Sequence, residues 1–262
     1  MLFSIITVVK NAEKTIAKCR ESVLSQKFKS YEHLIVDGLS SDNTVLILNE
    51  MNKKNLRFYS EADTGIYNAM NKAISYSKGD YILFLNADDH FYSQDILIKI
   101  SNIIYDLNPE IIYGDIIYKD LDKNVITRYW KTNHGDFNKF KWGWRTAHPA
   151  FIISRKLCQT VGFFNEQYVI ASDFDFMIRS FKKSNKKPYY LEMIFVCMSE
   201  GGISSSGFTN LIKQNLELFD ILKNNYNAMI TPIFFLGKIF RSIIHYLIPK
   251  LLNLTQQEKL LK

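Results

Sequence analysis

Along the first third of the chain, short apolar runs alternate with segments in which apolar residues recur at helical intervals. Phe3 to Val9 reads as a buried strand, and Ala12 to Gln26 places Ile16, Val23 and Leu24 on one helical face. His33 to Asp37 is a second strand. Ser40, Ser41 and Asp42 offer caps for a helix from about Asn43 to Met51, and Leu56 to Tyr59 reads as a third strand. After Gly65, residues Ile66, Met70, Ala73 and Ile74 keep helical spacing until Gly79 closes the helix. Tyr81 to Leu85 then runs apolar or aromatic without alternation, as a strand does when both faces are covered in a parallel sheet. Strand, helix and strand in succession predict right-handed crossovers and an α/β fold with a doubly wound, mostly parallel, Rossmann-like sheet.

The pattern changes in the second half. Glu110 to Ile117 and Val125 to Trp130 read as paired strands, followed by Lys131 to Pro149, rich in Gly, Trp and His. In Ala171 to Arg179 the spacing of Ser172 and Asp175 matches an S-x-x-D cap, and Phe174, Met177, Ile178 and Phe181 define a buried helical face. From Phe208 the periodicity is wholly helical, with Leu211, Leu218, Phe219 and Leu222 packing back on the domain. Ile230 to Leu254 is strongly apolar but interrupted by Lys238, Arg241, His245 and Lys250, which disfavours a membrane span. It reads instead as an interfacial helix, with an oligomerisation or core helix as the alternative. Its apolar face holds Phe234, Phe235, Ile239, Phe240, Ile243, Ile244, Leu247 and Ile248, and Lys238, Arg241 and Lys250 face anionic headgroups. The expected division is a catalytic domain over 1–207 and a C-terminal helical extension over 208–262.

Composition narrows the class. The 262 residues, 47% apolar and 14% aromatic, suffice for one large core with an appendage. Cys19, Cys158 and Cys197 are far apart and show no CxxC spacing, so a reducing compartment is expected. The first residues lead straight into a strand with no basic n-region, which predicts a cytoplasmic protein. Of the net charge of +7, residues 228–262 carry much, with Lys238, Arg241, Lys250, Lys259 and Lys262 against Glu258. Lys182 to Lys187 reads as a solvated face, and no zinc-finger or RNP-like spacing points to nucleic acid.

Chemistry first shows at the end of the central strand, where Asp88 and Asp89 follow Leu85-Asn-Ala87. Ligands of open α/β sheets gather beyond the carboxyl ends of the strands, so these acids can hold a hard cation against a phosphate-bearing substrate. The alternative is an acidic turn opening the next helix, with Ser93 as its cap. Val8 to Glu13 contains no glycine, which excludes the dinucleotide fingerprint, and no phosphate-binding G-x-x-x-x-G-K-[ST] loop, H-E-x-x-H helix or G-x-S-x-G elbow is present. Any nucleotide must then be held by carboxylates and a metal.

Ser4 to Asn11, Val36 to Thr44, Asp63 to Lys72 and Leu85 to Asp89, in that order and at those intervals, resemble glycosyltransferase family 2 over about residues 3 to 206, most of all its bacterial surface-polysaccharide members. The resemblance implies the GT-A fold, a nucleotide-sugar donor, UDP-linked, and Mg²⁺ or Mn²⁺. It assigns Asp37 to the donor's base, Thr7, Val9 and Asn11 to base and ribose, and Asp63, Asn71 and Lys72 to a second donor-binding segment. An ordinary helix entrance is the alternative for those last three. The family's D-x-D motif falls on Asn86-Ala87-Asp88, where Asn86 departs from the usual first aspartate and leaves Asp88 as the principal metal ligand. Asp89 either assists or caps the next turn.

On the acceptor side, Trp142 and Trp144 either stack on sugar rings or anchor the core. Arg145 can meet phosphate, and His148 matches a family position beside the transfer site. Asp173 matches the general base that deprotonates the acceptor hydroxyl; otherwise it complements the helix dipole. Glu200 to Ser205 resembles a loop near the donor phosphates. The resemblance further implies inversion in one displacement onto a glycan or lipid-linked acceptor, at the inner face of the cytoplasmic membrane. A metal-dependent nucleotidyltransferase and a non-catalytic nucleotide-sugar-binding protein of the same fold are the competing functions.

Overall fold

The computed structural model describes residues 1–51, 53–120, 125–199, 208–226 and 232–238. Strands β1 (Phe3–Val9), β2 (Tyr31–Asp37), β3 (Leu56–Ser60) and β4 (Tyr81–Phe84) are parallel, in the order β3-β2-β1-β4. Helices α1 (Ile16–Leu24), α2 (Thr44–Glu50) and α3 (Ile66–Tyr76) connect them. The chain thus steps outward from β1 through β3 and then returns to lay β4 on the other side of β1. That reversal opens a crevice beyond the carboxyl ends of β1 and β4.

The sheet continues through β8 (Phe151–Ser154), β6 (Ile111–Asp120), β9 (Tyr189–Ser199) and β5 (His90–Phe91). β8 runs antiparallel to β4 and β6, whereas β9 is parallel to β6. β7 (Val125–Trp130) pairs with Ile116–Asp120 of β6, on the edge that β8 occupies at Ile111–Tyr113. The remaining elements are α4 (Ile96–Leu107), α5 (Phe137–Phe140), a 3-10 turn over His148–Ala150, α6 (Arg155–Val161), α7 (Ser172–Lys183) and α8 (Phe208–Asn225). Residues 232–238 are helical as well.

Both faces of the sheet are covered, which is why β4 lacks alternation. Tyr81, Leu83 and Leu85 join the core under α1 and α4, whereas Ile82 and Phe84 join the core under α3, α6 and α7. Leu218, Ile221, Leu222 and Phe234 belong to that second core, so 208–226 and 232–238 pack on the same hydrophobic mass as the residues before 207.

Several local expectations change. Ala12 begins a turn and α1 starts only at Ile16; α3 ends at Tyr76 with Ser77 at its C-cap, and α4 starts at Ile96 behind Asp95, without a Ser93 cap. Gly79 instead permits a close approach, since a Cβ there would lie 2.4 Å from Phe3 C and Ser4 N. In the tail, Phe234 is buried and packs on Phe174, and Lys238 Nζ donates to Asn215 Oδ1 at 2.8 Å, so neither faces outward as an interfacial helix requires. Residues 239–262 and the Glu200 to Ser205 loop lie outside the described residues.

Replacing Gly79 by Ala should push β1 and β4 apart at their amino ends. The expected outcome is a lower urea midpoint at unchanged m, corresponding to about 2 kcal/mol of overpacking.

Candidate active site

Three loops meet at the carboxyl ends of β1 to β3. Asp37 ends β2 and is fully enclosed; its carboxylate accepts from Ser40 N at 3.1 Å, from Ser60 Oγ at 2.6 Å and from the Ser40 hydroxyl. A carboxylate has about four acceptor positions, so a ligand N–H reaches this one by taking the remaining position or by replacing a serine hydroxyl. Asn11, at φ 53°, pins the β1 loop to the β2 loop: its amide N–H donates to Ser40 Oγ at 2.8 Å and its Oδ1 accepts from Ser41 N at 2.8 Å. Asp63 Oδ1 accepts from Gly65 N at 3.0 Å, and Asp63 Oδ2 lies where a Cβ on Gly38 would be, 2.1 Å away. Gly38 therefore allows the second donor segment to close on the first.

Not every residue assigned to the donor presents its side chain there. Thr7 is fully buried and donates to Leu85 O at 2.7 Å, with its hydroxyl 2.9 Å from His33 Nε2, so it sits beneath the crevice and joins β1 to the end of β4. Val9 and Ala87 are packed in a small apolar cluster with Ile16, Ile35 and Leu48. Asn71 is committed elsewhere: it donates to Phe164 O at 3.1 Å and Glu166 Oε1 at 2.8 Å and accepts from Phe164 N at 2.9 Å, which latches α3 to the segment after α6. Lys72 Nζ donates to Ala62 O at 2.6 Å and faces Glu61 Oε2 at 3.5 Å, behind the Asp63 loop.

Beyond β4, Asn86 Nδ2 donates to Asp89 Oδ2 at 2.9 Å. Asp89 is buried, and this burial, then the neighbouring Asp88 charge, pushes its carboxyl well above the usual range. Asp88 is half-buried and its backbone carbonyl accepts from Ser199 Oγ at 2.7 Å. Among the described residues its carboxylate accepts no hydrogen bond. No group of three or more His, Cys, Asp or Glu side chains converges on a metal-sized space among the described residues. A free, hard carboxylate at the switch point nevertheless fits one anchor of a divalent cation whose other ligands are diphosphate oxygens and water.

Asp173 opens α7 and is half-buried. Its Oδ1 accepts from Phe174 N at 2.8 Å, and its other oxygen accepts no hydrogen bond among the described residues. The expected Ser172/Asp175 cap does not form. Ser172 is buried with its hydroxyl unpartnered, and Asp175 pairs with Arg179 Nε at 2.7 Å. The segment leading into α7 is held from far along the chain: Glu217 of α8 accepts from Val169 N at 2.9 Å, Ile170 N at 2.9 Å and Ala171 N at 2.8 Å. Tyr67, at the start of α3, donates to Ile170 O at 2.8 Å, and burial, then the Asp173 charge, raises its phenol. Sequence reasoning missed both, although Tyr67 lies inside the Asp63 to Lys72 motif.

His148 packs at the end of β4. Its ring stacks on Phe84, the last residue of β4, at 4.9 Å, and lies edge-on to Phe164 at 5.7 Å. Burial lowers its pKa and holds it neutral, with the Asp173 charge acting the other way. Among the described residues, its Nε2 and the Thr146 hydroxyl are buried without a partner, as is Ser172 Oγ beside Asp173. Orphaned polar atoms in such a place are positions for water or substrate hydroxyls. Trp144 is a core anchor: it is 2% exposed, donates from Nε1 to Thr132 O at 2.8 Å and packs against Tyr113, Phe140 and Phe181, so it cannot stack on a sugar. Trp142 is 59% exposed and remains able to. Arg145 stacks on Trp130 at 4.9 Å.

Comparison with known proteins follows this geometry. Residues 4–173 match the family described as Glycosyl transferase family 2. The PGL/p-HBAD biosynthesis glycosyltransferase of Mycobacterium bovis (strain BCG / Pasteur 1173P2) is 29% identical over 210 residues, covering 78% of this chain and 80% of the relative. The Escherichia coli UDP-Glc:alpha-D-GlcNAc-diphosphoundecaprenol beta-1,3-glucosyltransferase WfgD is 27% identical over 229 residues, covering 85% of this chain and 87% of the relative. In fold, S. aureus TarS 1-349, solved in complex with UDP-GlcNAc, superposes with a TM-score of 0.71 at 20% identity, over 98% of this chain and 78% of that one. The architecture is thus that of the GT-A proteins.

Glu217 offers a direct check on the clamp at α7. Glu217→Ala leaves three amide N–H groups without their acceptor, so a loss of about 3 kcal/mol in chemical denaturation is expected, together with a fall in turnover that exceeds any loss of donor affinity. Glu217→Gln, which keeps one acceptor oxygen, should fall between. Wild-type stability and turnover in Glu217→Ala would remove the clamp from the account.

Proposed function

Because the chain belongs to glycosyl transferase family 2, we propose that it moves a sugar from a nucleoside-diphosphate donor, UDP-linked, to a hydroxyl of a lipid-linked or glycan acceptor in polysaccharide assembly, with inversion. Membership removes the nucleotidyltransferase alternative. One observation carries the reading: among the described residues, Asp37, Asp63 and Asp89 past the strand ends are engaged by neighbouring donors, whereas no hydrogen bond reaches the Asp88 carboxylate and one oxygen of Asp173, at the start of α7, is likewise unengaged. Two unengaged carboxylates on different elements suit two separate tasks.

Asp37 and the β1 and β3 loops receive the base and ribose. Asp88 holds the divalent cation, which when bound supplies positive charge to the departing diphosphate. Asp173 takes the proton from the attacking hydroxyl with its free oxygen. Glu217 and Tyr67 fix the direction of that carboxylate by holding the backbone just before it. Neutral His148 hydrogen-bonds the acceptor through Nε2. The attack comes from the face opposite the leaving diphosphate, so one displacement inverts the anomeric centre and no enzyme nucleophile is required.

The site of action is proposed to be the inner membrane surface. No helix among the described residues is long and apolar enough to cross a membrane. The support is a strip of exposed apolar residues on α8, Leu211, Ile212, Leu216 and Phe219, together with exposed Leu236. Basic Arg241, Lys250, Lys259 and Lys262 follow in sequence. Apolar contact would dominate retention, with each basic residue near the surface contributing on the order of 1 kcal/mol.

Asp173→Asn should retain donor affinity and lose turnover by about 10² or more; near-normal turnover returns Asp173 to a capping role. Asp88→Ala should abolish the Mn²⁺-dependent component of UDP binding with an unchanged melting temperature in the absence of nucleotide, and intact metal-linked binding would sink that assignment. A chain ending at Lys238 keeps Phe234 in place. It should bind UDP, and it should sediment less with anionic liposomes than the full chain does; equal sedimentation of the two would move retention from the tail to α8.

A further inference from the structure

Four contacts build a cationic corner beside the site. Phe234 packs its ring on Phe174 at 5.6 Å, which seats residues 232–238 against the residue that follows Asp173. Gly237 and Gly143 meet backbone to backbone: a Cβ on Gly237 would lie 2.2 Å from Trp142 O, and one on Gly143, whose φ is +77°, would lie 2.7 Å from Lys238 N. Only residues without a side chain permit that approach, and it brings Lys238 against the segment that carries Arg145. On its far side, Lys238 Nζ is held by Asn215 Oδ1 at 2.8 Å, on the same helix as Glu217. Arg145 is held by the face of Trp130. Burial, then the charge of Arg145, pulls the Lys238 ammonium down to about 8. A planar guanidinium and an ammonium on adjoining segments supply the fork and point-charge donors that suit a diphosphate.

The corner belongs to the acceptor half. Base and ribose go to the ends of β1 to β3, whereas Trp130 ends β7, on the β6 side of the crevice. The chain from Arg145 to His148 spans at most about 11 Å, and His148 is near enough to Asp173 to feel its charge. An anion held here lies within reach of the base and away from the nucleoside. Exposed Trp142 and Leu236, both adjoining the Gly143–Gly237 contact, supply an apolar border.

We propose that Arg145 and Lys238, oriented by Trp130 and Asn215, form the subsite for the diphosphate of a lipid-linked acceptor, with its hydrocarbon chain passing over Trp142 and Leu236 toward the apolar strip of α8. The inference rests on the lipid-linked acceptor reading above and names the residues that would recognise it. It explains why a glycine pair is placed to pin residues 232–238 to the active-site loop, and why Lys238 is turned inward where a membrane-facing helix would display it.

Isothermal titration of the full chain with geranyl diphosphate, inorganic diphosphate and UDP tests it, using Lys238→Met, Arg145→Gln and Arg145→Lys, each checked for an unchanged denaturation midpoint. The wild type should bind geranyl diphosphate more tightly than inorganic diphosphate. Lys238→Met and Arg145→Gln should each weaken geranyl diphosphate by about tenfold or more, Arg145→Lys less, and UDP affinity should stay within about twofold. An equal loss of UDP affinity would assign the pair to the donor diphosphate and overturn the inference. Unaltered geranyl diphosphate binding in the variants would overturn it while leaving the lipid-linked acceptor reading intact. A wild type that binds UDP but ignores geranyl diphosphate would overturn both, and equal affinity for inorganic diphosphate would make this a free-anion site. Should Arg145→Gln fail to fold, Lys238→Met carries the test alone.

Discussion

Laying β4 on the opposite side of β1 from β2 is the constraint on which the site depends. It brings the ends of β1, β2 and β4 to one crevice and sends the helices that follow β2 and β4 in different directions. Because both faces of the sheet are then covered, the strands are apolar throughout and polar chemistry is confined to the loops past their ends. Asp37, Asp88 and the loop carrying Asp63 are therefore brought together by topology, with no direct pairing among them needed.

That crevice supplies half of an active site; the other half is brought to it by long-range clamps. Asn71 grips the backbone of Phe164, Tyr67 grips Ile170, and Glu217 grips three successive amides from Val169 to Ala171. Each spans tens of residues in sequence, and together they fix the start of α7 and the direction of Asp173. A carboxylate accepting three backbone N–H groups fixes the entry to α7, while Asp175 pairs with Arg179. The described helical residues past 207 are thus part of the same packed unit as Asp173, because α8 supplies the clamp and residues 232–238 pack on Phe174.

Much of the first half was legible in the sequence, because uninterrupted apolar runs, helical spacing and acids at strand ends are local signals. β1 falls where the pattern put it, and the helix after Gly65 begins at Ile66. What was not legible depends on partners far away in sequence. The four residues of β8 are too few to tell a strand from a turn, and they become a strand only between β4 and β6. Trp144 and Trp142 look alike in sequence, yet Gly135 and Thr132 make a slot that buries one and leaves the other exposed. The S-x-x-D spacing at Ser172 suggested a local cap, but Asp175 pairs with Arg179 one turn on and no cap forms. Phe234 and Lys238 showed the periodicity of a surface helix, but the Gly143–Gly237 contact turns them inward.

The central claim is that the two unengaged carboxylates divide the work, Asp88 with the leaving diphosphate and Asp173 with the incoming hydroxyl, in one displacement. The anomeric configuration of the product tests this most directly. With an α-configured UDP-sugar as donor, proton NMR of the isolated product should show the large anomeric coupling of a β-linkage for a gluco-configured sugar. A product of α configuration would require a second displacement and an enzyme nucleophile, and would contradict the account.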